Sequence, residues 1–84
     1  MEEKLPGRPI RIIKSLEDKN LGVFSEELYK TCLDDGEAVL VLKKIEQALA
    51  ADPNYELLHN LKEHAFVSFR NIHTQQEVRF FSED

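Results

Sequence analysis

The longest apolar-rich run in the chain is EAVLVLKKIEQALAA, residues 37–51. Asp34, Asp35 and Gly36 precede it, and Asp52-Pro53 follows it. Ala38, Val41, Leu42, Ile45, Ala48 and Leu49 recur in steps of three and four, the period of one helix face. The spacing predicts a helix over 37–51. Val39 and Leu40 widen the apolar face near its start, so the expected helix is central and covered on more than one side.

An 84-residue chain makes one domain. A domain of this size buries only about 60–65% of the surface its unfolded chain exposes, so it leans readily on a partner or a second copy. Residues 1–8, charged and interrupted by Pro6 and Gly7, are expected to form a flexible leader, and 9–84 a single globular domain. The 42% hydrophobic fraction is ordinary for a folded protein. Sixteen acids against eleven bases leave a net charge of −5, which disfavours non-specific contact with nucleic acid or anionic membrane. Cys32 is the single cysteine, so no disulfide forms within the chain and a reducing, cytoplasmic setting is expected. No stretch approaches the ~18–20 apolar residues of a membrane span.

Three further helices are expected. Ile10, Ile13 and Leu16 fall at three-residue steps after Pro9, predicting a helix over 9–19; a short strand over 10–13 is the alternative. Ser25 as N-cap, with Glu26 and Glu27 in the first turn, predicts a helix over 25–33. Asp52-Pro53 followed by Tyr55, Leu58 and Leu61 predicts one over 53–63. From residue 64 the period changes to alternation, predicting an antiparallel hairpin of 66–70 and 77–81 around a polar loop. The expected fold is therefore α+β, four helices followed by a C-terminal hairpin.

Residues that could carry chemistry are few. Cys32 has no histidine near it in sequence and falls on the expected buried face of its helix. His59 and His64 are five apart, which fails the i, i+4 spacing of paired helical metal ligands. The carboxylate pairs Glu26-Glu27 and Asp34-Asp35 each have a local role in a helix cap or first turn. No phosphate-binding glycine motif occurs. No catalytic, cofactor or metal site is expected.

Two stretches, GVFSEELYKTCLDDGE and FVSFRNIHTQQEVRFF, follow the order link, helix, turn and wing, and in this the chain resembles a winged helix. That resemblance implies either a DNA-binding regulator or a protein-binding module. Its expected recognition helix opens with Glu37-Ala38 and is apolar on most faces, unlike a reader of base edges. Residues 36–53, running into DPNY at 52–55, are similar to the second helix of a tetratricopeptide repeat, which implies a peptide groove. The reading preferred here is a small acidic, non-enzymatic interaction or regulatory module. Its expected contacts are Glu26, Glu27, Asp34, Asp35, Arg70 and Arg79. The partner is another protein, with a basic surface suiting the acids, or a second copy meeting through the C-terminal hairpin, where Phe80 and Phe81 make both strand faces apolar. Nucleic acid ranks below protein, and no membrane is expected.

Overall fold

The computed structural model describes residues 9–83. The leader expected over 1–8, with Arg8, lies outside them. The order of elements is β1 (Ile10–Asp18), β2 (Val23–Cys32), α1 (Asp35–Ala50), β3 (Tyr55–His59), β4 (Phe66–Asn71) and β5 (Glu77–Glu83). The strands form one antiparallel sheet in the order β2-β1-β5-β4-β3. The expectation of four helices is therefore wrong in three of them. The helix over 37–51 and the hairpin of 66–70 and 77–81 are present, each a residue or two longer. The winged-helix and tetratricopeptide resemblances fall with the missing helices.

Each misread helix has a physical cause. In β1, Ile10 and Ile12 point at the core while Ile13 points to the opposite face, beside Phe81. Two apolar faces on one strand imitate a three-residue period, whereas β-branched isoleucines favour the extended chain. In β2 a bulge at Tyr29 breaks the alternation: Lys30 pairs with Ile12, but Leu28 pairs with Ile13. This shift let Leu28, Tyr29 and Cys32 pass as a helical stripe. In β3 the register slips between Leu57 and His59, with the same result. Asp52 does not cap a helix there; its carboxylate accepts from Asn54 N at 2.9 Å and closes a turn.

The helix is specified at its start. The Asp34 carboxylate accepts from Glu37 N at 2.9 Å, and the Glu37 carboxylate reaches back to accept from Leu33 N at 2.8 Å. This is a reciprocal cap displaced by one residue from the usual capping box. From that start α1 packs Ala38, Leu42 and Ile45 onto the sheet, with Val41 and Leu49 half-buried beside them. Their partners are Ile10 and Ile12 of β1, Cys32 of β2, Val67 and Phe69 of β4, and Val78 and Phe80 of β5. The expectation that the helix is covered on more than one side is also wrong. Val39 and Leu40 are 42% and 58% exposed.

Turns complete the frame. The Asp18 carboxylate accepts from Asn20 N and Leu21 N, at 3.0 and 3.1 Å, and also from Gln76 Nε2 at 3.3 Å. It thus ties the β1–β2 turn to the β4–β5 turn. Gly22 closes the first turn at φ 69°, where a side chain would be strained. Asn71 closes the second by accepting from His73 N and Thr74 N. This replaces the Asn-Gly that a shorter hairpin would use.

Phe69 is fully buried at the centre of the core. Phe69→Ala is expected to lower unfolding free energy by about 3–5 kcal/mol, measured by urea denaturation. Asp34→Ala removes one cap bond and should cost about 1 kcal/mol. A Phe69→Ala loss no larger than the Asp34→Ala loss would contradict a single core centred on β4.

Candidate interaction face

A single helix covers one side of the sheet. The other side carries no element among the described residues. Strand pairing orders its side chains into rows that cross the strands. One row runs Leu28, Ile13, Phe81, Phe66, on β2, β1, β5 and β4 in turn. At the usual strand spacing these four span about 14 Å. Leu28 is 55% exposed and the other three are half-buried. The next row runs Glu26, Ser15, Arg79, Ser68, His59. Beyond it lie Phe24, Glu17, Glu77, Arg70 and Glu56. Phe24, 60% exposed, lines a shallow hollow with Ser15 and Arg79.

Arg79 stands near the middle of this face. Its guanidinium lies 4.5 Å from the Phe66 ring centroid, in cation–π geometry. Among the described residues no carboxylate is within ion-pair distance of Arg79, and no basic side chain is within ion-pair distance of Glu26. Most outer charges are paired, Arg70 with Glu56 at 3.1 Å, Lys19 with Glu77 at 3.2 Å, and Arg11 with Glu83 at 3.6 Å, while Glu17 is in none of these pairs.

The six residues expected to make contacts do not form one patch. Glu26, Arg70 and Arg79 share the helix-free face. Glu27 pairs with Lys14, whose strand neighbour on the other side is Phe80, and so belongs to the helix side. Asp34 is the helix N-cap and Asp35 opens α1. The residues missed by sequence reasoning are Leu28, Ile13, Phe81 and Phe66 as a row. The adjacency of Phe80 and Phe81 pointed to a second apolar face, since neighbours on a strand point to opposite faces, but not to its other three members.

His59 and His64 do come together, contrary to the helical spacing argument. Residue 59 ends a strand and residue 64 lies in the following turn, which sets their rings edge-on with centroids 4.8 Å apart. His59 Nδ1 shares a 2.7 Å hydrogen bond with Ser68 Oγ, and both rings pack against Phe66. They buttress the end of the apolar row. Among the described residues no three metal-ligating side chains converge. On the helix side, a groove of about 680 Å³ lies between α1 and residues 61–65, and one of about 460 Å³ between α1 and β2. No helix among the described residues is long and apolar enough to cross a membrane.

Cys32 sits under α1, fully buried. Burial pushes its thiol up from the ordinary value, the Glu37 carboxylate adds to the rise, Lys30 opposes it and Asp34 adds to it. The folded protein therefore holds this proton more tightly than the unfolded chain does. Stability from this source is complete below the ordinary thiol range, about 8.5, and is lost as pH climbs above it. Urea midpoints should fall more steeply above about pH 8.5 in the wild type than in Cys32→Ala. Native Cys32 should also resist alkylation; labelling as fast as in urea would contradict its burial.

Compared with protein-family models, with curated proteins and with solved structures, the chain matches none.

Proposed function

We propose that this protein is a non-enzymatic interaction module that works in the cytoplasm through protein–protein contacts made by the helix-free face of its sheet. The observation that carries the reading is the apolar row Leu28, Ile13, Phe81, Phe66 on a face that no helix among the described residues covers. An antiparallel sheet with one solvated face normally alternates apolar and polar residues. Here both faces are apolar at β5: Phe80 is 5% exposed beneath the helix, while Phe81 supplies the opposite side. Contiguous exposed apolar surface rimmed by charge marks an interaction site. Arg79 over Phe66, with Phe24 at the margin, adds the aromatic and arginine chemistry that concentrates binding energy in interfaces. The net charge of −5 supports a protein rather than a nucleic-acid partner.

The test uses affinity capture of the tagged, nuclease-treated protein beside the variant Phe24→Glu/Leu28→Glu. Both substituted side chains are more than half exposed, so the fold should survive, as far-UV circular dichroism would verify. The bound protein, an untagged second copy included, should be recovered with the wild type and reduced at least tenfold with the variant. Equal recovery with both would move the contact away from this face.

A further inference from the structure

The sheet face proposed above as the docking surface has a charge pattern that is complementary to itself. Glu26 on β2, Ser15 on β1 and Arg79 on β5 are consecutive in one row, so the acid and the base flank β1 at one strand's distance on either side. In the next row Leu28 and Phe81 flank Ile13 in the same way. A two-fold axis lying in the plane of the face and running along β1 exchanges left for right. It sets Glu26 of each copy opposite Arg79 of the other, and Leu28 opposite Phe81. Ile13 meets Ile13, and Ser15, small and already covered by its neighbours, lies beneath the contact without obstructing it.

We infer that the occupant of the helix-free face is a second copy of this chain, joined face to face across that axis. The inference rests on the reading of this face as an interaction surface and names its partner. An isologous contact requires one patch to complement itself under two-fold rotation, and this patch does so in both charge and apolar content. Glu26 and Arg79 are also the two charges of the row that no ion partner satisfies within the described chain. The outer charges of β1, Arg11 and Glu17, would face their own copies, but they lie toward the two ends of the strand. Packed sheets cross at about 30°, which splays those ends apart, and Arg11 keeps its ion pair with Glu83. Edge pairing of the C-terminal hairpin, the other route to a dimer, is closed. β5 is hydrogen-bonded between β1 and β4, and β4 between β5 and β3.

Sedimentation equilibrium of the full chain across ~1–100 µM should show a reversible dimer. Glu26→Arg and Arg79→Glu each place like charges opposite one another, and each alone should weaken association at least tenfold. Mixed in equal amounts, the two variants form a pair in which both contacts are again of opposite charge. The mixture should therefore dimerise as the wild type does. Neither intrachain pairing nor a contact elsewhere gives rescue by mixing. A wild type that stays monomeric at ~100 µM, or a mixture no better associated than its components, overturns the inference. If that same monomer still captures a different protein, and loses it on Phe24→Glu/Leu28→Glu, the interaction reading stands and only the second copy is removed.

Discussion

One amphipathic helix cannot cover two faces of a sheet. The layering of the described residues follows from that mismatch between one helix and five strands. The capped helix α1 draws Ile12, Val67, Phe69, Val78 and Phe80 into a dry layer and contacts every strand in doing so. The central strands β1, β5 and β4 are held from both sides by ladders and from one side by the helix. Their remaining side, carrying Ile13, Phe81 and Phe66, is fixed just as firmly, because side-chain alternation on a strand is not adjustable. The rigidity that builds the core therefore also preorganises the apolar row on the other face.

The two edges are treated differently from the open face. Both β2 and β3 carry register breaks, at Tyr29 and between Leu57 and His59. Bulges discourage a further strand from pairing. β2 also presents Glu26 and Glu27, and β3 presents Glu56. Growth of the sheet by edge addition is thus opposed by shape and charge. The bulge at Tyr29 has a second effect. It turns Tyr29 toward the helix layer, where its ring meets Phe80 edge-on at 5.3 Å. Leu28 is left on the opposite side to begin the row.

What could be read in the sequence was whatever kept its period and its local caps. Residues 37–51 show a single face at helical spacing between Asp34 and Asp52, and the helix forms there. Residues 67–70 and 77–80 alternate apolar and polar, and the hairpin forms. β1 and β2 were illegible for opposite reasons: β1 is apolar on both faces, and β2 changes phase in mid-strand. Ser25, with its following glutamates, resembled a helix cap, but local propensity yields to ladder bonds and side-chain packing in a sheet. Of the candidate contacts, Arg79, Arg70 and Glu26 share the open face because they fall on the right phase of their strands. Asp34 and Asp35 serve the helix start instead. The apolar row was invisible because its four members are separated by tens of residues and become neighbours only through strand order.

Magnitudes decide how such a face can bind. Fully burying one large apolar side chain contributes about 1.5–3 kcal/mol. Leu28 is 55% exposed and Ile13, Phe81 and Phe66 are already mostly covered, so one such row has on the order of 2–5 kcal/mol left to give. The loss of translational and rotational freedom on association costs about 4–15 kcal/mol. Apolar burial alone is therefore close to balance, and the polar row beside it determines the outcome. A carboxylate placed against Arg79, shielded on one side by the Phe66 ring, forms a charge-assisted bond of about 1.5–3 kcal/mol. In the proposed two-fold pair that bond would form twice. On the proposed reading the apolar row would make this face adhesive in general, whereas the spacing of Glu26 and Arg79 about β1 would make it selective for a surface with the same spacing reversed.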